Sequence, residues 1–320
     1  MQTLLLIATT TYHALMCWLE DKKSAPGQIV HIGSCKLHIY TKGEGSPTVV
    51  IDHSLGGIEG YFLIDELAKI TRVCVYDRAG YGWSDISWRP RTSENIVTEL
   101  DLLLTKANIK PPYILVGDSF GSYNVRLYAQ RFPEKVTGMV LTDGLHEESM
   151  LKMQFDLQAL KYFFASGFVM SVIGAILGIV RICQQCGIFL LLKPELSKFT
   201  QHTREHVLRS FRRPKHWLTM AREILNLDTS SKQLKKANNL GALPIVSIKA
   251  NSFFKPALWT NFIPLKSANK LRDTMHEQII KLSTNCTQIQ TNNSGHFIWV
   301  DEPEIITTAV KMIIKNLQQT

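Results

Sequence analysis

The fold is decided by the stretch YILVGDSFGSYNVRLYA, residues 113–129. Its first part is an apolar strand pattern, which passes directly into a helical pattern. Two candidate nucleophiles, Asp118 and Ser119, lie side by side at the junction. Which of them is the nucleophile depends on the shape of the backbone at so sharp a turn.

A nucleophile on a strand-to-helix elbow has strained backbone angles, and the residues two positions before and after it approach each other closely. Both flanking residues must therefore be small. The flanks of Ser119 are Gly117 and Gly121, whereas those of the preceding aspartate would be the bulky Val116 and Phe120. The sequence therefore predicts Ser119 as the nucleophile.

Strand and helix patterns alternate along the rest of the chain. Further strand patterns lie at residues 36–40, 47–54, 72–77, 136–143, 243–250 and 286–292. Short β-branched strands that alternate with helices predict a parallel sheet of βαβ units. The alternation stops between residues 147 and 240, where the sequence is mostly helical. We therefore predict an α/β core at 24–146 and 241–320, interrupted by one helical insertion at 147–240.

A serine hydroxyl is a poor nucleophile without a base. His296 lies in NNSGHFIWVDEPE (292–304), between a strand and the last helix, where a loop can carry it over the sheet edge towards Ser119. The negative charge that develops on a substrate also needs two backbone N–H donors. Phe120, directly after the nucleophile, is one predicted donor, and Leu55, in a Ser-Leu-Gly-Gly turn, is the other.

Four short motifs follow one another along the chain. They are HSLGG (53–57), DRAGYGWSD (77–85), GDSFG (117–121) and SGHFIWVDEPE (294–304). Together they resemble the α/β-hydrolase superfamily from about residue 30 onward, and they are most similar to bacterial-type members with an apolar N-terminal segment and a helical cap. The resemblance implies a mostly parallel eight-stranded sheet with helices on both faces. It also implies a cap over the site at 147–240, a Ser-His-acid triad and no cofactor.

The chain departs from the commonest pattern of this family at three places. Asp118 stands where many members have histidine, and Ser54 stands where most have glycine. In the commonest version of the fold an aspartate follows the seventh strand, but that segment ends in Lys-Ala-Asn-Ser (249–252). Some members take the acid from the end of the sixth strand instead, where Asp143 lies. We therefore favour Asp143; the alternatives are Asn251 in that role or no third member.

These residues predict a serine hydrolase that cleaves a carboxylic ester with a lipophilic part, through an acyl-enzyme on Ser119. Other acyl-transfer or C–C hydrolase chemistry on the same triad is an alternative, as is a non-catalytic, ligand-binding member of the fold. No metal is expected, because the single C-x-x-C at Cys183 and Cys186 has no second pair and no histidine at ligand spacing. Nucleic-acid binding is not expected either, because no binding motif accompanies the net charge of +9.

Two apolar segments raise the question of a membrane. Residues 1–23 are a candidate membrane-associating helix, short and threonine-rich for a span. Residues 162–180 carry no charge and pass a hydropathy test, but we favour a buried or substrate-lining helix. A basic run follows, which is either a solvated helical face or a surface that rests on anionic lipid. Its arginines are Arg204, Arg209, Arg212 and Arg213. We expect a membrane-associated or cytoplasmic protein.

Overall fold

The computed structural model describes residues 2–57, 59–235, 237–253 and 264–319. Eight strands in these residues form one sheet. The strands are β1 (Gln28–His31), β2 (Lys36–Lys42), β3 (Thr48–Asp52), β4 (Val73–Asp77), β5 (Tyr113–Asp118), β6 (Val136–Thr142), β7 (Ile245–Lys249) and β8 (Cys286–Gln290). Their order across the sheet is β1-β2-β4-β3-β5-β6-β7-β8. Only the β1–β2 and β2–β4 pairs are antiparallel, so the predicted mostly parallel eight-stranded sheet is confirmed.

Helices precede, connect and follow the strands. Outside the segment between β6 and β7 they are α1 (Gln2–Asp21), α2 (Glu59–Leu67), α3 (Ser93–Lys106), α4 (Gly121–Arg131), α12 (Leu265–Ile279), α13 (Ile298–Asp301) and α14 (Pro303–Gln319). Between β6 and β7 lie the inserted helices, α5 (Glu147–Leu151), α6 (Phe155–Ile176), α7 (Ile179–Gln185), α8 (Ile188–Leu192), α9 (Gln201–Arg212), α10 (Pro214–Leu225) and α11 (Leu227–Leu234).

The sheet is covered on both faces, which explains why its central strands are apolar throughout. Successive side chains of a strand point to opposite faces. Leu115 of β5 accordingly packs in a cluster with α3 and α4. Its neighbour Ile114 packs in a second cluster with α2 and α14. Strands β3, β4 and β5 are buried along their whole length, as expected for a parallel sheet between two helical layers.

The parallel strands end level with one another. Asp52 pairs with Gly117, Asp118 with Thr142, and Thr142 with Ile248. The loops that follow β3, β5, β6 and β7 therefore leave the sheet at one edge. In open α/β sheets this carboxyl edge is where ligands bind.

Helix α1 is anchored by its second half to the inserted helices. Glu20 forms ion pairs with Arg181 at 2.7 Å, with Arg213 at 2.9 Å and with Arg212 at 3.1 Å. The adjacent Asp21 pairs with Arg209 at 2.6 Å. Three of the four arginines in the basic run are thus occupied by α1. The expectation that this run is a solvated face or rests on lipid is wrong for these three side chains.

Helix α6 has an apolar composition but an exposed outer side. In the described part of the chain it is the one helix that is long and apolar enough to cross a membrane, by length and composition alone. Of its most apolar stretch of 18 residues, 17% is buried in the protein. Its inner side carries Leu157, Lys161 and Ala165, and the helix packs against α10. The expectation of a buried helix therefore holds for one side of α6 and is wrong for the other.

Candidate active site

Ser119 occupies a strained elbow between β5 and α4. Its φ is +49°, a left-handed conformation that few residues other than glycine adopt. A Cβ on Gly117 would lie 2.5 Å from a methyl group of Val125, and a Cβ on Gly121 would lie 2.4 Å from the carbonyl oxygen of Asp52. Both flanking positions thus exclude larger residues, which is the steric condition that the sequence predicted for Ser119.

His296 and Asp143 meet at the carboxyl edge of the sheet. The ring Nδ1 of His296 donates to Oδ2 of Asp143 at 2.6 Å, although 153 residues separate them in the chain. Asp143 directly follows β6, has a φ of +39° and is buried. Because Nδ1 is occupied in this way, Nε2 is the ring atom that remains to accept a proton from a serine hydroxyl.

The loop that carries His296 is held by backbone hydrogen bonds. The backbone N–H of Gly295 donates to Asp301 at 3.0 Å, and that of Asn293 donates to Glu302 at 2.9 Å. The backbone N–H of His296 itself donates to the carbonyl of Phe253 at 3.1 Å. The acidic pair in the motif SGHFIWVDEPE therefore fixes the loop in which the histidine lies.

Asp143 has further partners that the sequence did not indicate. His276 on α12 donates from Nε2 to Oδ1 of Asp143 at 3.2 Å, and its Nδ1 lies 3.3 Å from the hydroxyl of Ser247. The backbone N–H of Ala250 also donates to Oδ1 at 3.2 Å, and Nε of Arg272 lies 3.7 Å away. His276 lies inside an ordinary helical pattern, so nothing in the sequence marks it as a neighbour of this carboxylate.

These contacts set the charge of both groups. Burial favours the neutral form of Asp143, but the hydrogen bonds from His276 and His296 outweigh burial and hold its pKa well below the usual range. Burial would likewise lower the pKa of His296. The hydrogen bond and charge of Asp143 outweigh that effect, and the pKa of His296 is raised above the ordinary 6.5. Asp143 is thus an ionised carboxylate that stabilises a protonated imidazole.

The alternatives considered for the acid and the nucleophile have other hydrogen-bond partners. Asn251 is exposed, and in the described part of the chain its side chain makes no hydrogen bond; only its backbone does, to Ser294 and Arg272. Asp118 is buried and accepts a hydrogen bond from the hydroxyl of Thr142 at 2.6 Å. The side chain of Asp118 is therefore tied to the neighbouring strand β6.

Phe120, one predicted oxyanion donor, directly follows the nucleophile, and Leu55, the other, lies in the turn after β3. Within the residues that the structure describes, the N–H groups of Leu55 and Phe120 donate no hydrogen bond to the protein. The turn after Leu55 depends on glycine, because Gly56 and Gly57 have φ angles of +107° and +64°. Ser54, directly before Leu55, is compatible with this turn. The roles of Leu55 and Phe120 stay predictions.

Arg78 connects the Leu55 turn to the inserted helices. Its guanidinium donates to the carbonyls of His53 and Ser54 at 2.6 and 2.7 Å, and to Asp52 at 2.6 Å. It also forms a two-pronged ion pair with Glu223 of α10, with both hydrogen bonds at 3.0 Å. All of these charged groups are buried. Arg78 in the motif DRAGYGWSD therefore fixes the start of the turn that contains Leu55. The sequence did not indicate its partner Glu223.

A small cavity of about 20 Å³ lies between the Leu55 turn and the inserted helices. Its lining consists of Ser54, Leu55, Gly56, Lys193, Glu195, Phe211, Met220, Phe297 and Trp299. The volume is enough for about one water molecule. Among the described residues, no group of three or more His, Cys, Asp or Glu side chains is placed to hold a metal ion.

Comparisons with known proteins point to one fold. A family model described as alpha/beta hydrolase fold matches residues 47–171. The uncharacterized protein YqjL of Bacillus subtilis (strain 168) is 26% identical over 301 residues, which are 92% of this chain and 91% of that protein.

Solved structures agree with this match. The epoxide hydrolase CorEH superposes with a TM-score of 0.67 at 14% identity, over 91% of this chain and 98% of that one. A thermophilic esterase from Thermogutta terrifontis gives a TM-score of 0.61 at 16% identity, over 92% and 99% of the two chains. The chain thus has the α/β-hydrolase fold, and the resemblance to the α/β-hydrolase superfamily is confirmed. Members of this fold family include enzymes such as esterases and epoxide hydrolases.

Proposed function

We propose that the protein is a serine hydrolase that cleaves a carboxylic ester with a lipophilic part, with Ser119, His296 and Asp143 as its triad. The observation that carries the proposal is the combination of a strained Ser119 elbow with a buried His296–Asp143 pair at the same edge of the sheet. A serine at φ +49° is costly to maintain, and strained residues of this kind cluster at functional sites.

In the proposed reaction the hydroxyl oxygen of Ser119 attacks the ester carbonyl carbon while Nε2 of His296 takes its proton. Asp143 keeps the ring in the tautomer with a proton on Nδ1 and stabilises the imidazolium. His296 then returns the proton to the leaving alcohol, and an acyl-enzyme forms. Water, activated by the same histidine, attacks the acyl group and releases the carboxylic acid.

The tetrahedral intermediates carry a negative oxygen, which the N–H groups of Leu55 and Phe120 are proposed to stabilise. The two N–H groups are held in place by different parts of the structure. Phe120 is fixed by the elbow itself, since it directly follows the strained serine. Leu55 is fixed by the turn whose carbonyls Arg78 holds. The second donor therefore depends on the buried ion pair with Glu223.

A lipophilic substrate is supported by the inserted helices, which we propose to be a cap. The cavity beside Leu55 is lined by Phe211 and Met220 of the insertion and by Phe297, next to His296. This cavity holds only about one water molecule, and we propose that these helices shift when a substrate binds beside Leu55.

The proposal is tested by treating the purified protein with a fluorophosphonate probe and with p-nitrophenyl esters of graded chain length. We expect covalent labelling at Ser119, identified by peptide mass spectrometry, and a lower KM for longer acyl chains. A protein that is neither labelled nor active on any ester of the series would instead be a non-catalytic member of the fold.

Glu223 offers a prediction about the oxyanion turn. Glu223→Gln removes the charge that faces Arg78, and we expect kcat to fall by about tenfold or more with a smaller change in KM, because small displacements of catalytic groups are costly. Glu205→Gln on α9 is the matched control, since Glu205 is an exposed glutamate paired weakly with Arg212 at 3.5 Å. Steady-state kinetics of both variants, with thermal melting, make the comparison.

Breaking a buried ion pair can also destabilise the protein. Tyr81→Phe provides a milder change, because it keeps the charge of Glu223 and removes two hydrogen bonds of the phenolic oxygen, the 2.6 Å one donated to Glu223 and the one accepted from the backbone N–H of Gly56. We expect it to lower kcat by less than Glu223→Gln does. Unchanged kcat in a folded Glu223→Gln variant would show that the ion pair does not position Leu55.

A further inference from the structure

The first two turns of α1 project from the protein without packing on it. Every residue from 3 to 8 is exposed, and Leu4, Leu5 and Ile7 are 73%, 65% and 58% exposed. From residue 9 onward one side of the helix is covered, with His13 and Glu20 buried against the inserted helices. Two turns of apolar helix that are exposed on all sides are highly unfavourable in water.

The outer side of α6 continues this apolar surface. Phe155, Phe163 and Met170 on that side are 85%, 69% and 65% exposed. The two helices adjoin where α6 ends, because a Cβ on Gly178 would lie 2.8 Å from the carbonyl oxygen of Thr9. We call residues 3–8 of α1 together with the outer side of α6 the apolar surface. Its exposed side chains are Leu4, Leu5, Leu6, Ile7, Phe155, Tyr162, Phe163, Val169, Met170, Ile173 and Ile176.

Charged residues lie only at the C-terminal end of α1 and directly after it. Residues 2–19 carry no Asp, Glu, Lys or Arg. The two acids that follow, Glu20 and Asp21, are paired with arginines of the inserted helices. Lys22 and Lys23 are exposed, and the ammonium of Lys22 lies 3.3 Å from the ring centre of the exposed Trp18. An apolar helix with a tryptophan and lysines at one end complements an anionic lipid surface.

The shape of the apolar surface distinguishes a lipid bilayer from a protein partner. A groove on a protein, or a second copy of this chain, would cover one side of α1, whereas residues 3–8 are exposed on every side. At 1.5 Å per residue these two turns are roughly 10 Å long, which is less than half of the roughly 30 Å hydrocarbon core, so they can reach into one leaflet only.

Neither helix is free to cross the bilayer. The second half of α1 is held by ion pairs to Arg181 and Arg213. The inner side of α6 packs on α10 and carries Lys161, which is paired with Asp228 at 3.0 Å. We propose that the apolar surface enters one leaflet of an anionic phospholipid membrane and attaches the protein to it without spanning it. This attachment does not depend on the chemistry at Ser119.

Vesicle flotation of the full-length protein tests the proposal. We expect it to float with vesicles of phosphatidylcholine and phosphatidylserine, and to float less with phosphatidylcholine alone or at high salt, because surface charge attraction is screened. Leu5→Glu combined with Met170→Glu should lower the membrane-bound to free ratio by about tenfold or more, since charged residues are unfavourable at that depth. Both side chains are exposed, so folding should be retained.

The matched control places the same charges at exposed apolar residues outside this surface. Trp88→Glu combined with Ile280→Glu changes side chains that are 80% and 39% exposed, and it should float like the unaltered protein. Equal loss in both double variants, or no flotation of the unaltered protein, overturns the proposal. The proposal is also overturned if light scattering shows a dimer without lipid, the Leu5→Glu and Met170→Glu changes dissociate that dimer, and the protein does not bind vesicles.

Discussion

Replacing Ser119 with alanine is expected to abolish labelling by a fluorophosphonate probe and to lower ester turnover by at least about a thousandfold. The reason is that the members of the proposed triad act as one unit, so His296 and Asp143 have no proton to move once the hydroxyl is gone. Alanine removes a single oxygen from a position where the backbone already has a φ of +49°. Turnover of a p-nitrophenyl ester and probe labelling, both at saturating concentration, measure the effect.

Asp118→Asn is the control for this prediction, because it changes the neighbouring candidate nucleophile by one atom. Asp118 accepts a hydrogen bond from Thr142, and asparagine can keep that contact through its carbonyl oxygen. We expect labelling of the asparagine variant to be largely intact. If Asp118→Asn abolishes activity while Ser119→Ala does not, the assignment of the nucleophile is wrong.

Replacing Asp143 with asparagine is expected to reduce turnover by about a hundredfold to ten-thousandfold. Asparagine cannot stabilise an imidazolium by charge, and it can present an N–H where His296 needs an acceptor. A second effect follows in the pH profile. His296 must be neutral to act as a base, and Asp143 raises its pKa above 6.5. We therefore expect kcat/KM of the unaltered protein to fall, on acidification, at a pH above that value, and the fall to move to lower pH in the variant.

Asn251→Ala is the comparison for the acid, since it removes the other side chain considered for this role. It should cost much less, because Asn251 is exposed and contacts its neighbours through its backbone. Thermal melting of both variants separates lost catalysis from lost folding. Near-normal rates in Asp143→Asn together with strongly reduced rates in Asn251→Ala would mean that the acid is not Asp143.

The sequence predicted the sheet well because parallel strands between two helical layers are continuous apolar runs. Strand β1 was not recognised, since it has four residues, lies at the sheet edge and is mostly exposed. The outer side of α6 was also misjudged. An apolar run without charges is equally compatible with burial inside the protein and with an exposed face, and composition does not distinguish them.

The candidate site was predictable where a residue is fixed by local geometry. The glycines two residues before and after Ser119 predict an elbow from five consecutive residues. The position of Asp143 at the end of a strand predicts that its side chain lies at the carboxyl edge of the sheet. Contacts between distant helices follow no such rule. His276 lies 133 residues from Asp143, and Glu223 lies 145 residues from Arg78. Each occupies an unremarkable helical position, and only the packing of α10 and α12 brings it to the site.

The buried pair of Arg78 and Glu223 couples the position of the inserted helix α10 to the turn that carries Leu55, the proposed oxyanion donor. The guanidinium of Arg78 donates to two carbonyls directly before Leu55 and also forms an ion pair with Glu223 of α10. If α10 moves away to admit a substrate, Arg78 loses one of its anchors at the same moment. In the proposed reaction the protein would then be least active while open and would become active on closing. Such coupling would leave esters that bind only at the opening uncleaved, and it would allow cleavage of those that the closed insertion encloses.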